Sequence, residues 1–99
     1  MVGFYKTQEF LSKKHNIAVI RALLLAPQGL GFNALLREIQ PITPRILSQR
    51  LTELEKIQLI QKNLVLGSKP KIEYRALPKS ESLRKAINEL EKWGNKELI

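Results

Sequence analysis

The sequence predicts a single, mostly helical α+β domain spanning residues 1–99, and three observations indicate it. The chain has 99 residues with 43% hydrophobic and 26% charged side chains, a globular composition near the common domain size. Apolar residues recur at steps of three and four through several segments, as they do on the buried face of a helix. The runs "LIQKNLVL" and "KIEYRAL", joined by "GSKPK", are instead rich in β-formers and predict a hairpin.

The N-terminal part predicts a long helix followed by a short one. Residues 7–26 have a helical apolar pattern, which Pro27 and Gly29 end. A short extended piece over residues 30–32 follows. Asn33 can then cap a helix that runs through residue 38 or 39.

The best-marked helix covers about residues 43–57. Thr43 is a good N-cap, and Pro44 suits the first helical position, where its missing N–H has no cost. One face is apolar through the whole segment and should pack inward. Its members are Ile46, Leu47, Leu51, Leu54 and Ile57.

A β-hairpin over about residues 59–77 comes next. In its second run Ile72, Tyr74 and Ala76 alternate with charged residues, which is the period of a half-exposed strand. Gly67 and Pro70 supply the turn.

A last helix over about residues 80–98 completes the chain, and Ser80 is its expected cap. Two short helices joined by a tight turn and followed by a basic hairpin form a winged helix-turn-helix. The helix at residues 43–57 is then the recognition helix.

The stretch "GLGFNALLREIQPITPRILSQRLTELEKIQLIQKN" followed by "PKIEYRAL" resembles the HxlR-type winged-helix regulators, a branch of the MarR-like superfamily. The residues that carry the resemblance are Phe32, Thr43, Arg50-Leu51, Leu54-Glu55, Leu59-Ile60, Pro70-Lys71 and Glu73-Tyr74. It covers roughly residues 15–94. It implies a homodimeric, DNA-binding transcriptional regulator whose subunits pair through the terminal helices, at about residues 7–26 and 80–98.

Three features depart from the family pattern. Gln58 replaces the usual glycine of "xxGLI", which predicts a less sharp end to the recognition helix. The segment "ALPKSES" replaces the usual "LTxxG" and leaves the start of the last helix open. Some members sense electrophiles through a cysteine near the N-terminus, and this chain has no cysteine to do so.

Candidate DNA-binding residues follow from the outward side of the recognition helix. Arg45, Ser48, Gln49 and Thr52 share one face. Arginine can donate two hydrogen bonds to guanine and glutamine can pair with adenine. We therefore expect Arg45 and Gln49 to read bases, and Thr43, Ser48 and Arg50 to contact phosphate. The alternative is an ordinary solvated face, and Arg50 can instead pair with Glu53 or Glu55.

The remaining candidates are on the hairpin and the short helix. Lys69, Lys71 and Arg75 lie at or near the hairpin tip and suit phosphate or minor-groove contact. They can equally be lysines and an arginine that keep an exposed strand soluble. Asn33 and Arg37 can clamp the DNA backbone, or serve as a cap and a surface charge. The DNA-binding set is Asn33, Arg37, Thr43, Pro44, Arg45, Ser48, Gln49, Arg50, Lys69, Lys71 and Arg75.

The terminal helices carry more apolar residues than a domain of this size can cover, which indicates a dimer interface. Packing onto the first helix must account for part of them. The candidate interface residues are Phe4, Phe10, Leu11, Leu83, Ile87, Leu90 and Trp93.

The net charge indicates which classes of partner the protein can bind. Lysine and arginine number 17 against 9 acidic residues, a net charge of +8, which favours double-stranded DNA or an anionic membrane surface. No segment resembles a signal peptide or a membrane span, so we expect a cytoplasmic protein. The single histidine, His15, has no cysteine or spaced ligands around it, so neither catalysis, a metal nor a cofactor is expected.

The leading hypothesis is a sequence-specific homodimeric transcriptional regulator that binds a palindromic operator. Two alternatives stay open: a sequence-tolerant architectural DNA-binding protein, and a winged-helix module that binds other proteins. The sequence indicates no effector ligand.

Overall fold

The computed structural model describes all 99 residues and contains six helices and one two-stranded antiparallel sheet. The elements are α1 (Val2–Ser12), α2 (Asn16–Leu24), α3 (Phe32–Glu38), α4 (Pro44–Lys56), β1 (Ile60–Val65), β2 (Lys71–Ala76), α5 (Pro78–Glu81) and α6 (Leu83–Glu97). This order is that of a winged helix-turn-helix, so the predicted fold class is confirmed.

The core forms where α2, α3 and α4 meet the base of the hairpin. Ile20, Leu23, Leu35, Leu47 and Leu54 are fully buried within it. Each of these helices contributes apolar residues at helical spacing, so burial of one stripe per helix fixes its rotation. The rotation of α4 in turn determines which of its residues face outward.

Both ends of α4 are well capped. The backbone N–H of Ile46 donates to Thr43 Oγ1 at 3.1 Å, and Pro44 is the first helical residue, as predicted. At the other end Gln58 has a left-handed φ of 61°. The N–H groups of Gln58 and Leu59 donate to the carbonyls of Glu55 and Leu54, each at 3.0 Å, which is a Schellman cap.

Two predictions about this end were therefore wrong. The helix ends sharply although Gln58 is not glycine, because the two reverse hydrogen bonds and the buried Leu54 and Leu59 hold the turn. Ile57 does not complete the inward face. It follows the last helical residue, and its side chain is 46% exposed.

The hairpin β1–β2 is anchored at its base and protrudes at its tip. The strands pair from Ile60 opposite Ala76 to Val65 opposite Lys71. Leu30 adds an isolated bridge to Tyr74, with backbone hydrogen bonds of 2.8 and 3.0 Å. Tyr74 is buried there as predicted, but Ile72 is 42% exposed because the outer half of the hairpin extends beyond the core.

The predicted helix over residues 7–26 is in fact two helices. The chain turns between Ser12 and Asn16, and the Asn16 side-chain amide donates to the Phe10 carbonyl at 3.1 Å across the turn. Residues 12–16 are polar, but Ile17 and Ala18 lie seven positions after Phe10 and Leu11, so the apolar residues on the two sides of the break keep the same helical register and periodicity alone did not find it.

The cap of α3 also differs from the prediction. Gly31, in extended conformation, precedes the helix and Phe32 begins it, so Asn33 lies inside the first turn and is not the cap. Of the expected extended piece 30–32, only Leu30 pairs with the hairpin.

Ser80 does not cap the last helix. It lies in the short helix α5, is fully buried, and donates its hydroxyl to the Leu59 carbonyl. Arg84 in α6 then ties this region to α2, since it donates to the Leu24 carbonyl at 3.1 Å. Its hydrogen bond to Glu81 lowers the pKa of that carboxyl.

The terminal helices lie largely outside the core. No residue of α1 is buried, and in α6 only Ile87 is. The Cα radius of gyration is 14.3 Å, above the roughly 13 Å expected for a compact domain of this length. No helix combines the length and the apolar character that a membrane crossing requires.

Candidate nucleic-acid interface

The buried leucines of α4 determine which of its residues face outward. Leu47 and Leu54 are inaccessible to solvent and Leu51 is 2% exposed, so the opposite side of the helix must face away from the core. Arg45, Ser48, Gln49 and Thr52 occupy that side and are exposed, as the spacing predicted. The Thr52 hydroxyl donates to the Ser48 carbonyl at 3.0 Å.

Arg45 and Gln49 are free to make new hydrogen bonds. Neither side chain has a hydrogen-bond or ion-pair partner within the chain, and they lie four residues apart on the same face. An unpaired guanidinium and an unpaired carboxamide next to each other can read adjacent bases without first losing an internal partner.

Arg50 has a different role from its neighbours. Its side chain is only 12% exposed, and Nη2 lies 2.9 Å from Glu53 Oε1. Its Nε is buried and has no acceptor. Of the two possibilities left open by the sequence, the structure favours the ion pair, because a guanidinium held against Glu53 is poorly placed to reach phosphate.

The hairpin, which we call the wing, presents its cations unequally. Lys69 lies at the tip and Arg75 near the base, both without an ion-pair partner, while Lys71 Nζ is 3.5 Å from Glu73 Oε2. Lys71 is therefore partly neutralised. Arg75 is held in place because its stem lies over Gly29: a Cβ at Gly29 would lie 3.0 Å from Arg75 Cγ.

The turn between α3 and α4 brings together residues distant in sequence. Arg37 and Thr43 line one shallow depression with Gln40, Pro44 and His15. Asn33 is exposed on the first turn of α3. His15 was not among the sequence candidates, and no local pattern could have found it, since only the packing of α2 beside α3 brings it to this surface.

Lys62 is a second residue that sequence reasoning missed. It is exposed on β1 and pairs across the sheet with Tyr74, on the face opposite to Lys71 and Arg75. The pairing of the two strands could have indicated it, because Lys62 lies opposite Tyr74, which alternates with the charged residues of β2. The wing thus has cations on both faces.

The proposed dimer residues divide into three groups. Phe4, Leu11, Leu90 and Trp93 are 66%, 45%, 53% and 56% exposed, so much of each apolar side chain is open to solvent. Within the chain Phe4 contacts Tyr5 edge to face, with ring centroids 5.4 Å apart. Phe10 and Leu83 are partly buried against the core. Ile87 is 5% exposed and belongs to the core, so the prediction that it lies at the dimer interface is wrong: it packs within its own subunit.

Comparison with known proteins gives one family. The HxlR-like helix-turn-helix family matches residues 10–98. The uncharacterized HTH-type transcriptional regulator YkvN of Bacillus subtilis strain 168 is 34% identical over 92 residues, which is 93% of this chain and 76% of that protein. An uncharacterized HTH-type transcriptional regulator of Halalkalibacterium halodurans is 37% identical over 78 residues, 79% of this chain and 69% of that protein.

Solved structures have the same fold. The reduced form of the transcriptional regulator YodB from B. subtilis superposes with a TM-score of 0.82, at 22% identity, over 94% of this chain and 89% of that one. The oxidized form of the redox regulator HypR gives 0.84, at 21% identity, over 96% of each chain. These likenesses concern the fold, and this chain has no cysteine.

Proposed function

The chain belongs to the HxlR-like helix-turn-helix family, whose fold is that of DNA-binding transcriptional regulators, and we propose that it binds specific double-stranded DNA sequences as a homodimer. One observation carries the proposal: α4 is fixed by a buried leucine face and capped at both ends, and its opposite face holds unpaired Arg45 and Gln49. Such a face suits the major groove.

The wing supplies the complementary contact. We assign Lys69 and Arg75 to phosphate or the minor groove, together with Lys62, because these three cations have no internal partner. Lys71 contributes less, since Glu73 lies 3.5 Å from it. The net charge of +8 supports binding to a polyanion and a strong dependence on salt.

Dimerisation is supported by α1. An 11-residue helix with no buried residue is only marginally stable in water, so it needs a surface to pack against. The exposed Phe4, Leu11, Leu90 and Trp93 provide that surface on α1 and α6. Two-fold symmetry would place the two copies of α4 about 34 Å apart over a palindromic operator.

The DNA assignment is tested by comparing Gln49→Ala with Lys69→Ala on a duplex selected from a random pool. Gln49→Ala should lose about 1–3 kcal/mol of discrimination at one base position. Lys69→Ala should weaken binding to all sequences alike and reduce the salt slope by about one. Lys85→Ala, on α6, is the charge-matched control and should change neither.

The same titrations separate the alternatives. Equal affinity for every duplex with a steep salt slope would replace this proposal with an architectural role. No binding at low salt would remove both DNA roles and leave a protein-interaction module. Uniform weakening by Gln49→Ala would show that α4 does not read bases.

The dimer is tested by Trp93→Glu, measured by sedimentation equilibrium with circular dichroism as a check on folding. We expect the wild-type chain to be a dimer at micromolar concentration and the variant to be a folded monomer, because a carboxylate would be buried without a partner. Lys92→Glu, one residue away, should remain dimeric. A monomeric wild-type chain, or a dimeric Trp93→Glu, would contradict the proposed interface.

A further inference from the structure

His15 lies at the start of α2, and its imidazole is not committed to a role within the fold. It directly precedes the first helical residue, Asn16, but its side chain makes no capping hydrogen bond. The ring is half-buried and forms no hydrogen bond or ion pair within the chain. When a histidine ring is protonated, both of its nitrogens are donors, so this ring can donate to an external acceptor.

The imidazole lines a depression of about 590 Å³ at the turn between α3 and α4. Arg37 of α3 and Thr43, the N-cap of α4, line the same depression. Arg37 is exposed and has no ion-pair partner. The Thr43 hydroxyl accepts from the N–H of Ile46 at 3.1 Å, so its own hydrogen remains available. Three side chains from three elements can therefore donate to one ligand.

No acidic group neutralises the depression. None of the nine acidic residues of the chain lines it, and of the 17 lysines and arginines only Arg37 does. Glu38 of α3 is exposed outside it. Glu9 of α1 and Glu53 of α4 line a separate cleft beside α1. A positive charge on the imidazole would thus have no carboxylate of this chain to pair with in the depression.

The residues that precede His15 are also basic. Lys14 is exposed and has no ion-pair partner, whereas Lys13 Nζ lies 3.7 Å from Glu53 Oε2. The surface around the depression therefore suits an anion in either state of the ring. Protonation of the ring adds a charge that lines the depression with Arg37.

The depression lies where the DNA backbone would pass if α4 occupies the major groove. In helix-turn-helix proteins the first helix crosses the backbone, while the N-terminal residues of the second contact base edges. Here α3 and α4 are these two helices, and the depression lies at the turn between them. A backbone phosphate is the anion that this position would meet.

We propose that His15, Arg37 and Thr43 together bind one phosphate of the DNA backbone, and that protonation of His15 strengthens this contact. The inference rests on the function proposed above. It makes the affinity for DNA depend on pH near neutrality.

The direction of the pH dependence follows from the charges. Histidine is the side chain whose ordinary pKa lies between pH 5 and 8, and the chain has one histidine and no cysteine. The phosphodiester groups of DNA stay charged throughout this range. An imidazolium attracts a phosphate and a neutral imidazole does not, so the affinity should rise as the pH falls.

The test measures binding of the full-length chain to the selected duplex by fluorescence anisotropy at pH 8 and pH 5.5, at constant ionic strength. The wild type should bind about fivefold more tightly at pH 5.5, as expected for one exposed ionic contact in each subunit of a dimer. Circular dichroism and sedimentation equilibrium at both pH values should show the same folded dimer.

Two substitutions of His15 separate its charge from its shape. His15→Gln is neutral at both pH values, so it should bind as the wild type does at pH 8 and gain less than about twofold at pH 5.5. His15→Lys is charged at both, so its affinity at pH 8 should match that of the wild type at pH 5.5. Lys14→Gln, one residue away, is the matched control and should keep the fivefold dependence.

A second arm needs only the wild-type chain. Each phosphate of the duplex is replaced in turn, in both half-sites, by an uncharged methylphosphonate. One replacement should abolish the pH dependence, and the same replacement should not weaken binding by His15→Gln further at pH 5.5 than at pH 8.

The outcomes distinguish this site from the proposed function. Equal wild-type affinity at the two pH values, or a pH dependence that His15→Gln retains, would overturn the role of His15 and leave sequence-specific DNA binding intact. A pH-dependent dimer content that accounts for the gain would do the same, as would a pH dependence that no single methylphosphonate removes. A chain that binds no duplex at either pH would refute the proposed function and this site with it.

Discussion

The proposed recognition helix α4 and the wing are adjacent in sequence, but they are held in place by different means. Leu47, Leu51 and Leu54 bury α4 along one whole face, and caps fix both of its ends. The wing is anchored at its base by Tyr74 and is free of the core at its tip, where Leu64 is 61% exposed. Residues that read bases need accurate placement, whereas residues that contact phosphate tolerate movement. The two modes of support match the two proposed roles.

The largest expected effect compares Leu47→Ala with Leu64→Ala. Leu47 is fully buried beneath α4, so its truncation should cost about 2–5 kcal/mol of unfolding free energy through lost burial and a cavity. Leu64→Ala should stay within about 0.5 kcal/mol, because the side chain is already solvated. Urea denaturation measures both. Similar losses for the two leucines would mean that the wing is as firmly packed as α4.

The next comparison concerns the base and tip of the wing. Gly29 has a φ of 98°, and an added Cβ would lie 3.1 Å from the Tyr74 carbonyl oxygen. Gly29→Ala should therefore destabilise the chain by about 1–3 kcal/mol, as expected for backbone held in an unfavourable region. Gly67→Ala, at the tip, has nothing within 4 Å and is the matched control.

Amide exchange gives the location of the effect. Gly29→Ala should speed exchange in β1 and β2 more than in α4, since it strains the contact with Tyr74. Equal loss of protection throughout would show that the wing base and α4 unfold as one unit, which would contradict the difference in support.

The smallest effect is a gain at the end of α4. Gln58 has φ 61°, where glycine has no side-chain penalty. Gln58→Gly should stabilise the chain by about 0.5–1 kcal/mol, less than the full penalty because glycine loses more backbone entropy. Gln58→Ala should bring no gain. A destabilised Gln58→Gly, by thermal unfolding, would mean that the side chain itself supports the turn.

Much of the recognition helix could be predicted locally. Thr43 and Pro44 mark its start, and the leucine spacing assigns Arg45, Ser48 and Gln49 to the outside, because capping and amphipathicity depend on near neighbours. The partner of Arg50 remained open, since rotamers of a long side chain decide it. Ile87 was wrongly assigned to the dimer interface for a related reason. An apolar stripe on a helix does not indicate whether it packs against the same chain or against a second one.

The sequence by itself determined the fold class, the start of α4 and the side of it that faces outward, since each depends on residues within a few positions of one another. Only the tertiary structure decided three other features. They are the break between α1 and α2, the depression that His15 and Arg37 both line, and a cleft between α1 and the C-terminal end of α4. These depend on contacts between residues far apart in the chain, which periodicity and capping do not encode.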